Sequence, residues 1–252
     1  MCYDLDSSPP IPPISGAAVS HDDLVLEAED GNRFAAFAAM PDVPGAAGVV
    51  ILPDIRGLYR FYEELALRFA EHGHAAVAFD YFGRTAGAEK RDDDFEYLPH
   101  VQQTTHDGLQ ADVAAAVAFL RGAGYRRNFT VGFCYGGRNA WLAAAAGHGL
   151  AGAIGFYGRP GEDGRPGDSP SPTAVADRFE APILALMGGE DQGIPVEDAE
   201  AFDAALEEAG VEHEVVIYPG APHSFFDRKY EEFADASEDA WNRVLAFLAR
   251  HS

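Results

Sequence analysis

The chain has 252 residues, 47% of them hydrophobic, enough to fill the core of one large domain or two small ones. Eighteen Lys and Arg against 41 Asp and Glu leave a formal charge of −23, which argues against partners held through phosphates, whether DNA, RNA or anionic membrane surfaces. Two cysteines, Cys2 and Cys134, make no disulfide framework, no stretch is apolar enough to span a bilayer, and the proline-rich start (Pro9-Pro10-Ile11-Pro12-Pro13) lacks the basic-then-apolar pattern of a secretory signal, so a cytoplasmic protein is expected.

Residues 1–21 read as a proline-rich arm and 22–252 as a single domain. Leu24-Val25-Leu26 and the apolar run at 33–38 flank Glu29-Asp30-Gly31-Asn32, whose Asp-Gly step favours a tight turn, so an antiparallel hairpin is predicted. Strand 48–52 follows, then helix 62–71, with Leu65, Leu67, Phe69 and Ala70 among charges, and strand 75–79. The alternation continues with helix 108–120, strand 129–133, helix 137–146 and strand 151–157. Strand 183–187, helix 197–208, strand 212–218 and a helix over 234–250 complete the chain. Continuous apolar strands alternating with helices predict an α/β fold, a mostly parallel sheet covered on both faces. Two segments break the rhythm, 83–106 and the Gly- and Pro-rich 158–172. Both leave the carboxyl ends of strands, where open parallel sheets bind ligands, so either could cover a pocket.

The most specific feature is Gly132-Phe133-Cys134-Tyr135-Gly136-Gly137, between a predicted strand and a predicted helix. It reads as a nucleophile elbow with Cys in place of the commoner Ser. So sharp a turn needs small neighbours two residues to either side, which Gly132 and Gly136 supply. The helix that follows points its amino end at Cys134, an arrangement that favours a thiolate over a buried, inert thiol. Asp191 comes just after strand 183–187 and His223 just after strand 212–218, which gives the order nucleophile, acid, histidine at three strand ends. A histidine can take the thiol proton and pass it to a leaving oxygen near neutral pH, and an aspartate can orient it. Glu190 competes with Asp191 for that task; Asp191 is preferred for its spacing to Pro195. The developing oxyanion needs backbone N–H donors, and the candidates are Tyr135, directly after the nucleophile, and Ile55 in the loop Pro53-Asp54-Ile55-Arg56-Gly57.

With these features in place, the sequence from about Asp22 to Arg250 resembles the dienelactone hydrolase family of α/β-hydrolases, in its hairpin start, its Gly-x-Cys-x-Gly-Gly elbow and its His-x-Phe ending. The resemblance implies an α/β-hydrolase fold with an N-terminal antiparallel hairpin, and hydrolysis of lactones and small esters by Cys134, His223 and Asp191 without a metal or organic cofactor. It also implies a carboxylate after the third strand that holds the resting thiol protonated, and an arginine after the following strand that pairs with this carboxylate and with the substrate's own. The matching positions are Asp54, one methylene shorter than the family's glutamate, and Arg84. A second substrate-binding arginine would fall at Asp227, with Arg228 one step later. Arg56 is an addition that could bind an anion, pair with Asp54 or be solvated. Tyr135 and Tyr157 are expected to line the pocket, Trp141 and Phe133 to pack.

Other signals are discounted. Gly147-His148-Gly149-Leu150-Ala151-Gly152 has dinucleotide-binding spacing but precedes a strand. His72 and His74 lack a third ligand, and Asp92-Asp93-Asp94 reads as a solvated acidic run. The function expected is a cofactor-free hydrolase of small carboxylic esters or lactones, working on a small-molecule substrate through a thioester acyl-enzyme. Alternatives are the same triad acting on a thioester or cyclising a metabolite, and a non-catalytic binding protein on the same scaffold.

Overall fold

The computed structural model describes residues 7–17, 19–43, 45, 47–92, 94–162 and 168–252; Cys2, Asp93 and the Gly164, Pro166 and Gly167 of the second long loop lie outside the described residues. The predicted hairpin is β1 (Val19–Glu27) and β2 (Arg33–Pro41), antiparallel, with Glu27 opposite Arg33 and Val19 opposite Pro41. Its turn is closed by the N–H of Gly31 on the Ala28 carbonyl (2.9 Å) and of Asn32 on Asp30 Oδ1 (3.1 Å). β1 begins inside the stretch read as a proline-rich arm, and Ile11 of that stretch is buried against the core.

The remaining strands are β3 (Ala47–Leu52), β4 (Ala75–Phe79), β5 (Arg127–Phe133), β6 (Gly152–Phe156), β7 (Ile183–Gly188) and β8 (His213–Tyr218). The sheet order is β1-β2-β4-β3-β5-β6-β7-β8, and every pairing from β4 to β8 is parallel, while β2 joins β4 antiparallel. Helices are α1 (Arg60–Glu71), α2 (Gly83–Ala86), α3 (Tyr97–Val101), α4 (His106–Gly122), α5 (Tyr135–Ala143), α6 (Val196–Ala209) and α7 (Ala234–His251), with a 3-10 turn at Thr173–Arg178.

Burial on both faces follows from the alternation within single strands. Val49 and Ile51 of β3 share one core cluster with Phe61, Leu65 and Phe69 of α1 and Trp241 and Val244 of α7, while Val50 and Leu52 share another with Val113, Val117 and Leu120 of α4. α1 is helical for the reason its sequence suggests: Phe61, Tyr62, Leu65, Ala66, Phe69 and Ala70 recur at three- and four-residue spacing and are all buried. α4 starts two residues earlier than expected, because Thr105 caps it, its side chain accepting from the N–H of Gly108.

The chain runs from β3 to β4 on one side and then to β5 on the other side of β3. The crevice at the carboxyl ends of β3 and β5 is therefore a topological switch point, the place where open sheets bind ligands.

Candidate functional site

Cys134 stands at that switch point, at the turn from β5 into α5, with φ 54° and ψ −112°. The turn is tight enough that a Cβ on Gly132 would collide with the Gly136 carbonyl, and one on Gly136 with the carbonyls of Leu52 and Pro53. The helix therefore begins at Tyr135, two residues before the sequence pattern suggests, since the Cys134 carbonyl already accepts the N–H of Arg138. Among the described residues, the non-glycine residues with positive φ are Cys134, Tyr157 (37°) and Ser224 (65°), and all three belong to this crevice or to the loop that carries His223. Backbone strain of about 1–3 kcal/mol at each is held by the packing around it.

His223 lies in the loop after β8. Phe225 and Phe226 anchor that loop, both fully buried, with Phe226 against Phe133 and Phe156 and the Phe225 carbonyl accepting from Ser237 Oγ (2.9 Å). The Nδ1 of His223 is 2.5 Å from Oδ2 of Asp191, whose side chain is buried, and Asp191 Oδ1 accepts the N–H groups of Gly193 (2.8 Å) and Ile194 (3.1 Å). Every oxygen of this carboxylate is thus used, and one faces the imidazole. Glu190, the competing acid, is exposed and makes no such contact; its N–H donates to the Ala221 carbonyl.

A cavity of about 490 Å³ opens beside these groups, lined by Cys134, His223 and Asp191, by the proposed donors Ile55 and Tyr135, and by Tyr157. The crevice therefore gathers these six of the residues singled out in the sequence, and Glu190 and Arg228 line it as well. The N–H groups of Ile55 and Tyr135 donate to no other described residue. Trp141 and Phe133 are core, as expected, with the indole N–H of Trp141 on the Leu184 carbonyl (3.1 Å).

Arg84 is a correction. It does not line this cavity; its guanidinium binds both oxygens of Asp112 on α4 (2.7 and 2.6 Å) and Asp30 in the hairpin turn (2.6 Å). Burial pushes the Asp112 carboxyl up to about 6, with the Arg84 hydrogen bond opposing it, and a carboxylate in that position draws the nearest guanidinium away from the crevice. Asp54 is fully buried and meets Arg56 in place of Arg84: its Oδ1 accepts the Arg56 N–H (2.8 Å), and Arg56 Nε lies 3.8 Å from Oδ2. Arg56 is itself buried, over the ring of Tyr59, and neither it nor Asp54 lines the cavity, which overturns Arg56 as a solvated or substrate-facing cation. The arginine that reaches back to the end of β4 is Arg91, paired with buried Asp80 at 3.0 Å.

Sequence reasoning missed three cavity cations, Arg138, Arg159 and Lys229; Arg228, which it placed one step past the second arginine position, lines the cavity too. Arg138 is buried on α5 and ties down the second long loop, donating to the carbonyls of Arg159 (2.8 Å), Gly161 (2.5 Å) and Pro170 (2.6 Å) and to Ser169 Oγ (3.1 Å). Arg159, so placed, donates to the Gly193 carbonyl in the acid's own loop. An arginine four residues after the nucleophile, on a helix with no other charged residue, was the available signal. Of the two loops, 158–172 supplies a cavity wall through Arg159, and none of the described residues of 83–106 lines the cavity. Among the described residues no group of three or more His, Cys, Asp or Glu could hold a metal ion, and no helix is long and apolar enough to cross a membrane.

A profile of the dienelactone hydrolase family matches residues 34–252. The chain is 31% identical over 222 residues to a provisionally named carboxymethylenebutenolidase of Methylorubrum extorquens, covering 86% of this chain and 76% of the relative. It is 30% identical over 211 residues to a similarly named protein of Escherichia coli, covering 81% and 76%. A provisionally named dienelactone hydrolase of Klebsiella pneumoniae superposes with a TM-score of 0.80 at 26% identity, over 92% of this chain and 99% of that one. The family match spans the sheet from β2 onward and all three strand ends that meet at the cavity, and it joins the geometry to one conclusion: the chain belongs to the dienelactone hydrolase family and is a hydrolase acting on ester or lactone bonds.

Proposed function

We propose that the chain hydrolyses small carboxylic esters or lactones through Cys134, His223 and Asp191, by way of a thioester acyl-enzyme, with residues 22–252 acting as one catalytic domain. The observation that carries the reading is the 2.5 Å contact of His223 with Asp191 at the rim of the cavity that Cys134 also lines. In the first half-reaction Nε2 of His223 takes the Cys134 proton, and the sulfur attacks the carbonyl carbon. The carbonyl π electrons move to oxygen, where the N–H groups of Tyr135 and Ile55 meet the charge. Collapse of the tetrahedral species expels the alcohol oxygen, which His223 protonates. In the second half His223 deprotonates water, the hydroxide attacks the thioester, and the thiol leaves with its proton restored. Asp191 stabilises the imidazolium in both halves and keeps the proton of the neutral ring on Nδ1.

The cavity is of a size for small ligands. Arg159, Arg228 and Lys229 at its walls favour a substrate with an anionic end, in a chain that is otherwise strongly acidic. The position of the second arginine is informative here: Asp227 turns into the core and Arg228, one step later, faces the cavity.

The test is hydrolysis of a panel of small esters and lactones, with and without a carboxylate and including a dienelactone, by the wild type and by Cys134→Ala, with intact-mass detection of the acyl adduct. Turnover and adduct should both vanish in the variant, and carboxylate-bearing members should lead the ranking. Turnover that survives Cys134→Ala would overturn the mechanism.

A further inference from the structure

Beside the imidazole lies a buried polar pair that the proposed reaction does not use. The chain segment His223-Ser224-Phe225-Phe226-Asp227 folds back so that the Asp227 carboxyl, 1% exposed, accepts the phenol O–H of Tyr157 at 2.6 Å through Oδ2, while its other oxygen accepts the N–H of Arg228. Tyr157 comes from the end of β6, its N–H fixed on the Leu186 carbonyl (2.8 Å), and its ring centre lies 4.9 Å from that of His223 at an interplanar angle of 55°. The same ring lines the cavity.

The hydrogen bond at Nδ1 fixes one edge of the imidazole. Where Nε2 points also depends on what packs against the ring, and the Tyr157 ring packs there. The orientation of that ring depends in turn on where its hydroxyl is held. Burying a carboxyl costs free energy unless its oxygens are partnered, so a chain that only needed a packed core would place an apolar residue at 227. We propose that Asp227 is a positioning residue for His223, acting through the phenol of Tyr157. The proposal rests on His223 serving as the general base.

The charged and titratable groups that face Asp227 are Asp54 from the loop after β3, itself beside Arg56, and His223 and Tyr157. Burial foremost, and Asp54 with it, push the Asp227 carboxyl up to about 8, against the hydrogen bonds from Tyr157 and Arg228 and the field of His223. Burial therefore favours the uncharged form of the acid. An asparagine at 227 reproduces both its charge state and its ability to accept from the phenol.

The experiment compares Asp227→Asn and Asp227→Leu, alone and with Tyr157→Phe, at pH 7. It reads kcat and KM on the best ester of the panel and, independently of any substrate, the rate at which iodoacetamide alkylates Cys134, followed on the Cys134 peptide. A ring released from its anchor should lower kcat and alkylation about tenfold in Asp227→Leu with KM nearly constant, because misorientation of a base acts on the reacting geometry. Asp227→Asn should retain most of both rates, and Asp227→Leu should add little to Tyr157→Phe. If Asp227→Leu fails to fold, Tyr157→Phe alone carries the same expected loss. The proposal is overturned if Asp227→Asn loses as much as Asp227→Leu, if the two losses multiply in the double variant, or if KM rises at constant kcat. Should no ester be turned over while alkylation follows the expected pattern, the positioning role stands and the ester reading falls.

Discussion

Asp191 reaches the imidazole of His223 across 32 residues of chain, 2.5 Å from Nδ1, with its second oxygen held by the N–H groups of Gly193 and Ile194. The acid is rigid before any substrate arrives, and its one open hydrogen-bonding direction points at the histidine. Asp191→Asn keeps the shape but presents an amide N–H to Nδ1, or else abandons the two backbone donors. Its kcat should fall by as much as about 10⁴, the size seen when a triad histidine is left in the wrong tautomer. A stopped assay on the best ester checks this, and a loss of only a few fold would pass the role to Glu190.

Gly136→Ala tests the elbow. The added methyl would meet the carbonyls of Leu52 and Pro53, backbone of the strand end that also delivers Ile55. That strand sits in the middle of the sheet and has no room to retreat, so the variant should lose about 1–3 kcal/mol of stability by overpacking. It should also lose turnover, because the two oxyanion donors are pushed apart. Denaturant midpoints and kcat measured together read both effects.

Arg84→Ala should behave as a stability variant. It strips Asp112, whose side chain is nearly inaccessible, of its guanidinium partner and leaves only Asn32 Nδ2 at 2.9 Å, at a cost of about 1–3 kcal/mol. The exposed Asp30 arm of the same arginine adds little, being screened by solvent. A lower urea midpoint is the expected result. Slower alkylation of Cys134 at unchanged stability would return Arg84 to the site.

The pH dependence of stability carries the signature of Asp227. Its carboxyl titrates near 8 in the folded chain and has a reference value of 3.8. Below the reference value both states hold the proton and the contribution is complete; between there and about 8 the unfolded chain has released it while the folded chain keeps it. Unfolding then releases a proton, so stability declines as pH rises through that window and levels off above it. Asp227→Asn should remove this component. The difference between wild-type and variant urea midpoints, measured from pH 4 to 9, isolates it from Asp112, which acts in the same direction over a narrower range up to about 6.

The parallel core of the sheet was readable in the sequence because its inner strands are short and apolar on both faces, and no surface strand could carry Val49-Val50-Ile51-Leu52. The elbow was readable because a strained turn admits few residues, and Gly132 and Gly136 at fixed spacing mark it. Asp191 and His223 were singled out by chain order, since the parallel strands β3 to β8 all bring their carboxyl ends to one edge.

Cation placement was not readable in that way. Arg84, Arg91 and Arg56 lie at or near neighbouring strand ends with no local pattern to separate them, and which one meets which acid depends on the reach of each side chain and on which carboxylates are buried. Asp112 on α4 captured Arg84, Asp80 captured Arg91, and Arg56 was left with Asp54. The inward turn of Asp227 and the outward turn of Arg228 differ by one residue in a loop whose path is set by Phe225 and Phe226 packing under β5 and β6. Periodicity and motif spacing act along the chain and so determined the strands, the elbow and the order of the three site residues. Ion pairing and loop packing act across it, between groups tens of residues apart, and only the tertiary structure decided them.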